Sequence, residues 1–226
     1  NQELAVKIPK VINDDLLATN FLRAMTVNML LSSVAKVKSN QTIIVTGASG
    51  GVGRLLCQWA SLIGVKVIGL VGDLNKVNDK NNYGCMHILE YEDNALIQKI
   101  IKFTEGKGVD FIFDSVGSKV FFNLIESIKK CGHIINYGQS SGSIESFNMS
   151  LLAEKSLTIS RPILFHYIEN RENYVSMCKN SFKILKNSTL FFPQFESYSL
   201  KEAHQVHDLL ESRIGGGCLY LVPSFN

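Results

Sequence analysis

The twelve residues 42–53, TIIVTGASGGVG, limit the possible folds of this chain more than any other stretch. β-branched residues Thr42, Ile43, Ile44 and Val45 lead into four glycines, Gly47, Gly50, Gly51 and Gly53. An apolar, helix-favouring run follows with Leu55, Leu56, Cys57, Trp59 and Ala60. Strand, glycine turn and helix in that order suit the pyrophosphate of a dinucleotide. Glycine allows a tight turn and close backbone approach, and the helix N-terminus offers unpaired N–H groups and a positive dipole end. The alternative is a strand-to-helix turn without a ligand, so the surroundings must decide.

The remaining strands and helices predict a doubly wound parallel sheet. Strands are expected at 42–46, 65–71, 86–89, 109–114, 132–138 and 157–160. Helical spacing covers 14–36, with Asp14 or Asp15 as cap, and then 52–63, 75–82, 93–104 and 119–130. Such alternation needs crossover connections and a parallel sheet, with a ligand crevice at the carboxyl ends of the strands. The loops 47–53, 72–76, 115–117 and 137–141 all fall at that edge. After Pro162 the pattern changes to a long helix over 169–185, a short strand at 190–193, a helix over 200–211 opened by Ser199 with Glu202 three residues later, and a last strand at 217–222.

Composition excludes several classes. With 226 residues, 46% hydrophobic and 19% charged, the chain reads as globular with room for a sizeable core. A net charge of +3 does not argue for nucleic acid or a membrane surface as partner. No apolar run is long enough to cross a bilayer. Cys57, Cys85, Cys131, Cys178 and Cys218 form no C-x-x-C pair and read as buried free thiols of a reducing cytosol, which places the protein in the cytoplasm. His204 and His207 share a helix face but lack a third metal ligand. No nucleophile–base arrangement stands out, so no catalytic residue is assigned.

Four stretches together resemble the quinone oxidoreductases of the zeta-crystallin type, in the medium-chain dehydrogenase/reductase superfamily. They are residues 46–53 with 57–60, residues 114–117, residues 138–142, and Ala203-His204 followed by residues 210–213. The resemblance extends over essentially the whole chain. Ala48, Gly50 and Gly53 match the A-x-x-G-x-x-G form of the dinucleotide turn common in that family. It implies a Rossmann domain over 16–162, flanked by parts of a GroES-like catalytic domain at 1–15 and 163–226. The larger portion of that domain, which in relatives supplies much of the substrate pocket, is expected to be missing.

The resemblance also implies site roles. Ser49, Gly50, Gly51, Val52 and Gly53 would bind the pyrophosphate. Gly72, Asp73, Lys76, Tyr91 and Arg213 would surround the adenosine end. Ser115, Tyr137, Gly138 and Ser140 would line the nicotinamide half. Asp73 lies 20 residues beyond Gly53, where a carboxylate ordinarily selects NAD through the ribose hydroxyl. Lys76, Tyr91 and Arg213 weigh against NADH and favour NADPH, because cations neutralise a 2′-phosphate. Asp114 reads as a turn residue and not as a catalytic acid. The expected function is zinc-independent hydride transfer from NADPH to a quinone or related electron-poor acceptor. The alternatives are an inactive nucleotide-binding remnant or an enone or alkenal reductase on the same scaffold. The resemblance further implies a homodimer paired along the edge formed by Leu157, Thr158, Ile159 and Ser160.

Overall fold

The computed structural model describes residues 5–77, 82–212 and 218–223, with the backbone alone at Lys76. Six strands form one sheet in the order β3-β2-β1-β4-β5-β6. They are β1 (Thr42–Thr46), β2 (Lys66–Val71), β3 (His87–Glu90), β4 (Val109–Asp114), β5 (Ile128–Asn136) and β6 (Thr158–Ser160). Every pairing is parallel, so all six carboxyl ends share one edge, and the order reverses between β1 and β4. This is the doubly wound Rossmann arrangement, with its crevice at the switch point.

Both faces of the sheet are covered, which is why its strands read as nearly continuous apolar runs. Ile43, Val45, Val67, Phe113 and Ile135 point into one core with α1 (Asp14–Asn28), α2 (Gly51–Leu62) and α7 (Arg171–Leu185). Ile44, Ile68, Leu70, Ile112 and Ile134 point into the other, which includes Leu96 and Ile100 of α3 (Leu96–Phe103) and Phe121 and Leu124 of α4 (Phe121–Leu124). The short helices α5 (Ser150–Ala153) and α6 (Leu164–Tyr167) flank β6 in the chain.

Several local expectations are corrected. Asn13, not Asp14 or Asp15, caps α1, its side chain accepting the Asp15 N–H, while both aspartates occupy the first turn where they complement the dipole. The regular helix stops at Asn28, and Met29–Val34 widens into a π turn that buries Met29, Leu30 and Leu31. The helix expected over 119–130 is one turn plus a 3₁₀ turn (Ile125–Ser127), and Lys129 and Lys130 lie in β5. Lys155 Nζ ends it by donating to the carbonyls of Ile125, Glu126 and Ile128 at 3.3, 2.9 and 3.0 Å.

The run 190–193 is not a strand. Its backbone is satisfied by one side chain, since Phe191 N–H donates to Gln58 Oε1 at 2.7 Å and Gln58 Nε2 donates to Phe191 O at 3.0 Å. That leaves Phe195–Ser199 (β7) to pair in parallel with Cys218–Val222 (β8). The expected capping box is present, with Ser199 and Glu202 opening the turn before α8 (Ala203–Glu211). Tyr220 Oη donates to Asp15 Oδ1 at 2.6 Å and ties β8 to the start of α1. The stretch 75–82 holds a 3₁₀ turn at Leu74–Lys76, and 78–81 lie outside the described residues. Four cysteines are buried free thiols as expected, but Cys131 is exposed.

Candidate cofactor site

The turn between β1 and α2 is shaped by contacts that leave no room for side chains. Gly47 has φ +63°, and a Cβ there would fall 2.7 Å from Ser115 Oγ. A Cβ at Gly53 would fall 2.1 Å from the Gly47 carbonyl oxygen, so α2 can close onto the turn only with glycine at that position. Gly50 is the N-cap and supplies no side-chain cap. Arg54 N–H donates to Gly50 O at 2.9 Å as the first bond of the helical ladder, so the amides of Gly51, Val52 and Gly53 precede it. An uncapped helix start with three such amides is a fit for a phosphate group.

Tyr91, just past β3 and two strands away from β1, supports this turn. Its hydroxyl accepts the Gly47 N–H at 2.5 Å, and its ring lies 3.7 Å from where a Gly72 Cβ would be. Burial pushes the phenol up to about 12, against the pull of the Gly47 hydrogen bond and with the help of the Asp114 charge. Asp73, just beyond β2, accepts the Asn75 N–H at 2.9 Å and caps the 3₁₀ turn there. Glu90 Oε1 accepts the Leu74 N–H at 2.8 Å from the other side. The Lys76 side chain and all of Arg213 lie outside the described residues.

The loops after β4 and β5 meet each other at the same edge. Ser115 N–H donates to Thr46 Oγ1 at 2.8 Å, and Ser115 O accepts the Ser140 N–H at 3.1 Å. Gly138 packs so closely that a Cβ there would lie 2.9 Å from Ser115 O. Tyr137 N–H donates to Asp114 O at 2.8 Å, and the Tyr137 hydroxyl is buried without a hydrogen-bond partner among the described residues. Burial pushes that phenol far up, so it stays protonated at any working pH, with the Ser115 side chain opposing and the neighbouring Cys57, Asp114 and Tyr91 adding to the effect.

The residue that holds these loops together is Asp114, and the sequence signal for it was thin. It is fully buried. Oδ1 accepts from Thr46 Oγ1 and the Val116 N–H, both at 2.9 Å, and from the Gly117 N–H at 3.2 Å. Oδ2 accepts from Asn136 Nδ2 at 2.8 Å. Asn136 Nδ2 also donates to Gly138 O at 3.0 Å, and Asn136 Oδ1 accepts from Arg161 Nη1 just past β6. One carboxylate thus joins the ends of β1, β4 and β5, with Arg161 adding β6. Reading it as a turn residue was right in kind and too small in extent. Thr46, Asn136 and Arg161 were missed; their one sequence signal is a polar residue at or just beyond the carboxyl end of an apolar strand.

Among the described residues no group of three or more His, Cys, Asp or Glu side chains is placed to hold a metal ion, and His204 pairs with Asp208 at 3.4 Å. No helix is long and apolar enough to cross a membrane among the described residues.

Comparison with known proteins points the same way as this geometry. The zinc-binding dehydrogenase family matches residues 51–180. The chain is 31% identical to quinone oxidoreductase 1 of Escherichia coli over 222 residues, covering 97% of this chain and 68% of that protein. It is 31% identical over 225 residues to a 2-haloacrylate reductase of a Burkholderia species, covering 98% and 68%. The crystal structure of the Escherichia coli quinone oxidoreductase complexed with NADPH superposes with a TM-score of 0.89, at 31% identity, covering 98% of this chain and 69% of that one.

Proposed function

Because this chain belongs to the zeta-crystallin-like quinone oxidoreductases of the medium-chain dehydrogenase/reductase superfamily, we propose that it reduces a quinone or similar electron-poor acceptor with NADPH and without zinc. The observation that carries this reading is the uncapped start of α2, closed onto the turn by the Gly53–Gly47 contact. The amides of Gly51, Val52 and Gly53 and the neighbouring Ser49 hold the pyrophosphate. Gly72, Asp73, Lys76, Tyr91 and Arg213 surround the adenosine end. The engagement of Asp73 with Asn75 supports NADPH over NADH, because that carboxylate is committed to its own turn. Ser115, Tyr137, Gly138 and Ser140 line the nicotinamide half, which is supported by the meeting of the loops after β4 and β5 at the same edge as the glycine turn.

When bound, the nicotinamide supplies a hydride to the acceptor; the chain's own residues position it and exclude water. Residues 16–162 form the dinucleotide domain, and 1–15 with 163–226 belong to a second, catalytic unit. β6 ends the sheet, which supports homodimer pairing along Leu157, Thr158, Ile159 and Ser160. The free cysteines support a cytoplasmic setting. A second reading, reduction of an activated alkene, is favoured by the likeness to the 2-haloacrylate reductase.

NADPH absorbance followed with a simple quinone and, separately, with 2-haloacrylate tests both. Oxidation with the quinone is expected. Oxidation with the alkene alone would replace the first reading by the second. Binding without oxidation of either would leave a nucleotide-binding protein and not an enzyme.

A further inference from the structure

We propose that Arg23 and Arg54 form a guanidinium pair that grips the dinucleotide pyrophosphate, so that the binding charge at the start of α2 comes from side chains of two helices as well as from backbone amides. The proposal rests on the NADPH reading above. Arg23 rises from α1 and lies across Gly51: a Cβ at 51 would fall 2.5 Å from its Nε and 2.6 Å from its Cζ. Gly51 is the first residue of α2, and its amide is one of the three that precede the helical ladder. Arg54, from the same first turn, reaches back and donates from Nη2 to the Ser49 carbonyl at 2.6 Å. Its guanidinium carbon stands 5.2 Å above the centre of the Tyr83 ring.

Among the described residues neither cation has an acid paired with it. The ion pairs among the described residues all involve other groups. Arg23 Nη1 donates to Asn20 Oδ1 at 3.3 Å and lies 3.2 Å from Cys218 Sγ. Arg54 Nε is buried with no hydrogen-bond partner among the described residues. Burial lowers the affinity of the Arg54 guanidinium for its proton, Arg23 adds to that, and only Tyr83 and Cys218 oppose it. Two like charges at the positive end of a helix, partly removed from water and without a counter-ion among the described residues, oppose folding unless an anion completes the site. A diphosphate supplies the charge and the acceptor oxygens, and a guanidinium fork matches its geometry. The missing side chain at Gly51 is what lets Arg23 lie there. These two residues are separate from Lys76 and Arg213, assigned above to the adenosine end.

Fluorescence titration of the 226-residue chain with NADPH and with NADH tests this, on the wild type and on Arg23→Gln, Arg54→Leu and Arg54→Lys, with melting temperatures recorded in parallel. The expected result is a loss of about tenfold in affinity for both dinucleotides in Arg23→Gln and in Arg54→Leu. Arg54→Lys should recover part of it, and ligand-free Arg54→Leu should melt no lower than the wild type, since a repulsion is relieved. Affinities unchanged to within about twofold overturn the pair, whatever the melting temperatures do. A loss confined to NADPH also overturns it, because that would put the arginines on the 2′-phosphate. Should Arg54→Leu fail to fold, Arg23→Gln decides by the same criteria. A wild type that binds while the variants bind equally well overturns the pair alone. A wild type that binds neither dinucleotide overturns the cofactor reading, and the pair with it.

Discussion

Asp114 shows how much one side chain can carry when it is buried and fully satisfied. Its carboxylate accepts hydrogen bonds from Thr46, Val116, Gly117 and Asn136 with no exposure to solvent. Asp114→Ala would leave two backbone amides, the Thr46 hydroxyl and one N–H of Asn136 without their acceptor in the interior, at a cost of about 3 kcal/mol or more. Chemical denaturation should show that loss as a lower midpoint at unchanged slope. Tyr91→Phe is a gentler test at the same scale. It removes the acceptor of the Gly47 N–H and costs about 1 kcal/mol, with weaker NADPH binding expected in the same titration and a sheet that remains intact. The sequence displayed Gly50 and Gly53 plainly because a glycine pattern is local. It hid Asp114, Thr46, Asn136 and Arg161, which are brought together from separate strands and look like ordinary polar residues one by one. Gln58 was hidden for the same reason: its partner, Phe191, is 133 residues away.

At the scale of elements, strands were more legible than helices. A strand buried on both faces writes itself as an apolar run, and the six sheet strands fall within a few residues of expectation. The errors came where a tertiary contact ended or replaced an element. Lys155 ends the helix after Phe121, and Gln58 takes the place of a strand partner for Phe191. The β1–α2 unit depends on glycine at one contact: a Cβ at Gly53 meets a backbone oxygen at 2.1 Å, which cannot move aside cheaply. Gly53→Ala should therefore abolish measurable NADPH binding and lower stability by about 1–3 kcal/mol. The pairing of β5 with β6 adds a pH dependence. His133 faces Ser160 Oγ at 2.7 Å, and burial lowers its affinity for a proton. Below about pH 6.5 the unfolded chain takes up that proton before the folded one does, so stability falls as the pH drops through that window. His133→Gln should flatten that part of the stability profile measured between pH 7 and pH 5; an unchanged slope would assign the effect to other groups.

For the whole molecule, the sheet brings four loops and the start of α2 to one edge, while β8 is tied to α1 by Tyr220 and Asp15 and the run before β7 is tied to α2 by Phe191 and Gln58. The chain spans 68% of the length of the Escherichia coli relative. β6, three residues long, is one of the two edges of the sheet, and the proposed homodimer pairs along it. Sedimentation should give twice the chain mass, and a proline at Ile159 should reduce it to the mass of one chain. Everything proposed for this edge depends on the start of α2 holding NADPH. Isothermal titration of the intact chain with NADPH and with NADH tests it most directly: one site per chain is expected, with NADPH bound more tightly. No heat of binding for either, or tighter binding of NADH, would show that the start of α2 is not an NADPH site.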